Sequence, residues 1–231
     1  MNKIFILIFL TIFSFGATLP KGYYEIKNIQ AMKYAFFSFM LKLAVEENGR
    51  ILYDREFIQT YYKDIKTNQN KDIKKYFYSL LKRYNLKENA TLKECLKRID
   101  IIPVSLVLAQ SAVESGWGKS RFFKQANNIF GQWTWTGKGL NPLQRDKGKT
   151  HKVAIFDSLE TSVYKYMMNL NVGWAYRDFR AKREELRENN KPILGSILAK
   201  TLVNYSAKKE AYTTILTNMI RRNHLYRYDI Q

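Results

Sequence analysis

Residues 103–118 constrain the fold more than any other stretch of this chain. From Pro103 to Val113 nearly every residue is apolar or small. Pro103 suits a first helical turn, and Gly116 and Gly118 suit a stop. The stretch therefore predicts a helix with Glu114 in its last turn. The macrodipole is negative at that end and opposes ionisation of the carboxyl, as do apolar neighbours. A carboxyl group kept protonated at a helix end suits general-acid chemistry. The plain structural alternative is a helix that happens to end in Glu.

The chain opens with Met1-Asn2-Lys3, an apolar run from Ile4 to Phe15, and the small residues Gly16, Ala17 and Thr18. A charged start, a short apolar run and a small-residue zone predict a secretory leader over residues 1–18. The run is too short to span a bilayer comfortably. An uncleaved N-terminal anchor is the alternative. No Cys stands near the leader, so a lipid anchor is not expected. The protein is expected to be periplasmic or secreted, monomeric, and not stably inserted in the membrane once the leader is cut.

The remaining pattern is mostly helical. Residues 28–66 carry Met32, Phe36, Met40, Leu43 and Ala44 near a 3.6-residue period, with a possible break at Asn48-Gly49. Lys71 to Tyr84 and Leu92 to Ile99 are further helices. Their aromatic residues, among them Tyr61, Tyr62, Tyr76, Phe77 and Tyr78, are expected to pack against the following domain. A carbohydrate platform is the other reading. From Gly131 to Ile155 the pattern alternates and is punctuated by Gly and Pro, which predicts a small β-hairpin region with a long connection. Asp157-Ser158-Leu159-Glu160 fits a capping box opening a helix to about Leu170, with Asp157 as the N-cap. Helices over residues 179–188, 193–203 and 211–223 complete the chain.

The single cysteine, Cys95, has no partner for an internal disulfide and no companions for a metal site, and it is read as a half-buried helix residue. No metal and no cofactor are expected. The formal net charge of +19 would suit nucleic acid. The leader argues against that partner, and no Arg-rich block or nucleic-acid motif is present. A basic exterior would equally hold a protein on an anionic envelope polymer.

Ile101-Ile102-Pro103-Val104-Ser105, Ala109-Gln110, Glu114-Ser115-Gly116-Trp117-Gly118 and Asn127-Asn128-Ile129-Phe130-Gly131 together resemble the bacterial glucosaminidase family that cuts peptidoglycan, and within it the Bax-type subgroup. The likeness extends upstream through Phe36-Phe37, Glu47-Asn48, Ile51-Leu52 and Arg55. Downstream it takes in Tyr205-Ser206 and Glu210-Ala211-Tyr212. It implies a mainly α (α+β), lysozyme-like domain with a small β-hairpin region over residues 99–231. A helical segment over 19–98 would pack on that domain. It implies an endo-β-N-acetylglucosaminidase whose partner is the peptidoglycan glycan strand. The bond cut would be the β-1,4 link between N-acetylglucosamine and N-acetylmuramic acid.

By resemblance Glu114 is the general acid, and Tyr205 matches the family's active-site tyrosine. A second carboxylate is harder to find. Between Gly131 and Phe156 the one acid is Asp146, in a turn-like Gln144-Arg145-Asp146-Lys147-Gly148. Asp146 is either a solvated turn residue or the second catalytic group. Participation by the substrate's own acetamido group is the alternative. Trp133 and Trp135, two apart on a strand, would share a face and stack on sugar rings. Trp117 would wall the acid's pocket or pack in the core. Asn128 and Phe130 would build the turn beside the cleft and touch substrate. His151 would hydrogen bond in the cleft, and Tyr212 would support the site by packing. Two other functions stay open. A lytic transglycosylase also needs one carboxylate, although its usual Gly-Leu-Met-Gln is absent. A wall-binding module without turnover would keep the same fold.

Overall fold

The computed structural model describes residues 16–136, 138–142, 150–206 and 209–229. The fold is mainly α with one small antiparallel sheet. Helices α1 (Ile29–Tyr61), α2 (Lys71–Arg83) and α3 (Leu92–Arg98) come first. The apolar stretch forms α4 (Val104–Ser115), followed by the short α5 (Arg121–Ala126). Strands β1 (Trp133–Thr134), β2 (Gly139–Leu140) and β3 (Lys152–Ala154) come next. Then follow α6 (Leu159–Val172), α7 (Arg177–Glu188), the short α8 (Gly195–Leu198) and α9 (Glu210–Arg222).

Helix α4 lies at the centre because nearly all of it must leave water. Leu106, Val107, Leu108 and Ala109 are fully buried, and so are its polar residues Ser105, Gln110 and Ser111. One core surrounds it, built from the first half of α1, α6, α8 and α9. A second, smaller core gathers Phe57, Ile58, Phe77, Leu80, Leu81, Tyr84 and Cys95 from α1, α2 and α3. Tyr61, Tyr62 and Tyr76 pack against that cluster, which meets the rest of the molecule through Met168 and Val172 of α6. Cys95 is fully buried there rather than half-buried, and burial pushes its thiol up to about 11.

Helix α1 runs without interruption past Asn48-Gly49, where the sequence left a break or a bend open. Asn48 explains why. Its Nδ2 donates to Ile102 O at 2.8 Å, and its Oδ1 accepts from Ile102 N at 3.0 Å. This two-point clamp fixes α1 to the segment entering α4, which outweighs the roughly 1 kcal/mol that a mid-helix Gly costs.

Two buried charge sites fasten the remaining elements. Arg187 grips Asp100 with two bonds, Nη2 to Oδ1 at 2.7 Å and Nε to Oδ2 at 3.0 Å. Arg183, wholly buried, donates to the carbonyls of Lys97, Asp100 and Ile101 and to Asn171 Oδ1. Burial alone would raise the Asp100 carboxyl, but Arg183 foremost, with Arg187 and Arg55, holds it below the usual carboxylate range. At the N-terminus of α4, Pro103 has no side-chain donor or acceptor to cap the helix. Asp229 supplies the cap from far downstream. It accepts from Ser105 N at 2.8 Å, Ser105 Oγ at 2.6 Å and Gly195 N at 2.8 Å. A Cβ at Gly195 would collide with Ser105 Oγ and Leu106 N, so glycine lets α8 start against α4.

The sheet is three-stranded rather than a two-stranded hairpin. Strand β3 lies in the middle, antiparallel to both neighbours, with Trp133 opposite Val153 and Gly139 opposite Ala154. The cap of α6 is Ser158, which accepts from Thr161 N at 3.2 Å, and not Asp157 as expected. Glu160 does not close a capping box and instead accepts from Ala17 N at 2.5 Å. Among the described residues no helix is long and apolar enough to cross a membrane.

Candidate active site

Glu114 occupies the last turn of α4, as expected. The turn that follows is unusual. Gly116, Trp117 and Gly118 are all left-handed, with φ of 55°, 60° and 73°. Such a conformation costs a residue like Trp on the order of 1–3 kcal/mol. Trp117 is held there by the rings of Phe36 and Phe37, at 5.6 and 5.1 Å between centroids, and by Tyr23, whose hydroxyl donates to Trp117 O. Ser115 braces the same turn. Its hydroxyl donates to Ser111 O at 2.6 Å and accepts from Gly118 N at 2.8 Å. The helix end that carries the acid is thus tied to the N-terminal helix, and Trp117 packs there.

Three buried side chains lead to the carboxyl group. Tyr166 Oη donates to Gln110 Oε1 at 2.5 Å. Gln110 Nε2 donates to Tyr212 Oη at 2.9 Å. Tyr212 Oη donates to Glu114 Oε1 at 2.5 Å. Each donor points toward Glu114. A phenol proton on Oε1 makes that oxygen an acceptor, so in the protonated acid the proton belongs on Oε2. Burial first, and then the Glu114 charge, raises the Tyr212 hydroxyl far above the ordinary phenol range. Tyr166 and Tyr205 are raised by burial too, with smaller contributions from neighbouring tyrosines and Glu114. All three phenols keep their protons.

Tyr205 lies face to face with Tyr212, with ring planes 2° apart and centroids at 5.5 Å. Its hydroxyl donates to Phe130 O at 3.3 Å. Tyr176, from a 3-10 turn at Trp174–Tyr176, stands 6.1 Å from the Tyr205 ring. Its hydroxyl is raised chiefly by burial, with a small contribution from Glu114. Four tyrosines therefore surround one carboxyl group.

The Asn127–Phe130 turn joins this cluster to the sheet. Asn128 Nδ2 donates to Gln132 O and Ala154 O, and its Oδ1 accepts from Gln132 N. Phe130 stacks on Tyr166 at 3.8 Å. Both residues build the turn as expected. However, Asn128 is 1% and Phe130 3% exposed, so neither offers a surface to a ligand. Their side chains are fully occupied inside the protein.

A second aromatic group sits on the sheet. Trp133 and Trp135 are 56% and 71% exposed, with centroids 6.2 Å apart. Trp135 stands just beyond β1 in a bend. His151 stacks on Trp133 at 4.2 Å. Asp146 lies outside the described residues.

The sequence-model family described as mannosyl-glycoprotein endo-beta-N-acetylglucosaminidase, Glucosaminidase, matches residues 89–225. The chain belongs to the glucosaminidase family. That match takes in α3 and every residue of the tyrosine cluster. Protein bax of Escherichia coli (strain K12) is 34% identical over 149 residues, covering 62% of this chain and 53% of that protein. The chain thus spans about half the length of this curated relative. No solved structure gives a significant match.

Against this glucosaminidase frame, the residues missed in the sequence are Gln110, Tyr166 and Tyr176. Gln110 carried a readable signal, since a polar side chain inside an apolar helix needs a partner. Tyr166 and Tyr176 carried none. Tyr212 was read as packing support, and its hydroxyl instead bonds the carboxyl group directly.

Proposed function

We propose that this glucosaminidase hydrolyses peptidoglycan at the β-1,4 bond between N-acetylglucosamine and N-acetylmuramic acid, with Glu114 as general acid. The observation that carries the reading is the Tyr212 hydroxyl on Glu114 Oε1, at the end of a helix whose motif matches the family. Glu114 gives its proton to the oxygen leaving C1 as the C1–O bond breaks. The N-acetylglucosamine acetamido oxygen closes on C1, so no second protein carboxylate is needed at this step. Water then opens the ring intermediate and returns a proton to Glu114. Tyr205, stacked on Tyr212, borders the space where the acetamido group lies. Trp133 and Trp135 offer exposed rings to sugars farther along the strand. We place the protein in the periplasm or outside the cell, on the leader-like residues 1–18.

Mass spectrometry of fragments released from purified peptidoglycan tests the proposal. New reducing ends at N-acetylglucosamine support it. Anhydro-muramic ends would instead assign a lytic transglycosylase, and absence of release a wall-binding module. Asp146→Asn that is as inactive as Glu114→Gln would replace the acetamido route with a second protein carboxylate.

A further inference from the structure

A cleft of about 740 Å³ opens between α7 and the segment from the end of α2 to α3. Lys87, Lys97, Arg98, Arg177 and Arg180 line it, opposed by Glu94 and Asp178. The way its cations are held distinguishes it from the rest of a basic surface. Arg98 donates to the carbonyls of Tyr84 and Asn85 at 3.0 and 2.7 Å. Arg180, 4% exposed, donates to the carbonyls of Leu170 and Gly173 at 3.0 and 2.8 Å. Carbonyl dipoles fix a guanidinium in place without cancelling its charge. Among the described residues Lys87, Arg98, Arg177 and Arg180 form no ion pair. Lys97 is neutralised outside the cleft by Glu184 at 2.8 Å. Glu94 is engaged in its own helix cap with Thr91. Burial, and then the like charges of Arg98 and Arg177, pull the Arg180 guanidinium down to about 10. The three arginines therefore share one cationic field, opposed within the cleft by Glu94 and Asp178.

The cleft is joined to the acid by the chain itself. Tyr176 feels the Glu114 charge, and the next residue, Arg177, lines the cleft. The Gly173 carbonyl that Arg180 holds opens the 3-10 turn bearing Trp174 and Tyr176. The cations come from separate elements, and the volume exceeds that of one compact anion. Separate carboxylates on a short chain match that spacing better than a single phosphate.

We propose that this cleft is a carboxylate-binding subsite for the acidic peptide carried by the glycan that Glu114 cuts. The proposal rests on the hydrolase reading above, and its test separates the two. Equilibrium binding is measured on purified wall glycan strands with their peptides intact, and on the same strands stripped of peptide. The wild type, Arg177→Gln, Lys87→Gln and Arg177→Lys are compared at two salt concentrations. Both residues are exposed, so the variants should fold. Peptide-bearing strands should bind the wild type more tightly than stripped strands. Arg177→Gln and Lys87→Gln should each weaken that preference about five- to tenfold, the loss for one partly exposed charge-assisted hydrogen bond. Arg177→Lys should restore part of it, and added salt should shrink it. Equal binding of the two strand types, or a Gln variant that weakens both alike, overturns the subsite. If turnover is absent but peptide-dependent binding is lost in Arg177→Gln, the subsite stands and the hydrolase reading falls.

Discussion

Tyr212 Oη donates to Glu114 Oε1 at 2.5 Å across 98 positions of sequence, and the same hydroxyl accepts from Gln110 Nε2. A phenol has one proton and here one direction in which to point it. The Oε1 oxygen of Glu114 is thereby fixed as the acceptor of the Tyr212 proton. Glu114→Gln keeps an acceptor for Tyr212 and loses only the transferable proton. Its turnover of peptidoglycan should fall at least ~10²-fold with the circular dichroism spectrum unchanged. Near-normal release of fragments would rule out Glu114 as the acid.

Tyr212→Phe should lower kcat by ~10–10²-fold with a smaller change in KM, because it removes the hydroxyl that positions Glu114 Oε1. Gln110→Leu should act in the same direction by a smaller factor, since Tyr212 then loses the bond that aims it. It should also cost stability of ~1–3 kcal/mol, because the Tyr166 hydroxyl is left buried without its acceptor. Steady-state kinetics decide the point. A raised KM with unchanged kcat would make this chain a substrate-binding device and not a positioning one.

At the start of α6 the two acceptors in Asp157-Ser158 should separate cleanly. Ser158→Ala should reduce stability by ~1 kcal/mol, and Asp157→Ala by much less, because only Ser158 bonds the helix N-terminus. Thermal melting of both variants reads this out.

Glu47 gives the fold a pH dependence. It is 5% exposed in α1, and burial pushes its carboxyl up to about 7 despite Arg50 at 3.2 Å. The unfolded chain releases this proton near 4.5, so between about 4.5 and 7 the folded state binds more protons. Its contribution is complete below 4.5 and is lost as pH rises through 7, with an upper bound of about 3 kcal/mol. Urea unfolding from pH 4.5 to 8 should therefore show wild type losing stability relative to Glu47→Gln. Parallel curves would exclude the effect.

Local rules reached the elements better than the contacts between them. The apolar stretch with Pro103 and Gly116 located α4 and its acid within a residue. Apolar periodicity bounded α2 and α3 nearly as well. One failure in the helices came from a side chain with a distant partner, and the other from a choice between two adjacent local caps. Gly49 lies inside a helix because Asn48 is bonded to Ile102, and Ser158 caps where Asp157 was expected. The site divides in the same way. Glu114 and Tyr205 stand in motifs. Tyr212 acquires its role from a hydroxyl meeting a residue on another helix, and Tyr166 from a glutamine two helices away in the chain. Asn128 and Phe130 were expected to build the turn and touch substrate, yet the turn that joins the cluster to the sheet buries both side chains.

Asp229 holds the first turn of α4 from 124 positions downstream. Timing follows from that distance. During synthesis Glu114 and the apolar helix behind it emerge long before the group that caps the other end of that helix. Until then Ser105 and Gly195 keep unpaired N–H groups in a region that is to be buried. The slow, long-range closure of the chain thus falls on the helix that bears the acid. A chain cut between Tyr212 and Asp229 would carry every residue of the tyrosine cluster and still lack the cap that sets where the helix begins.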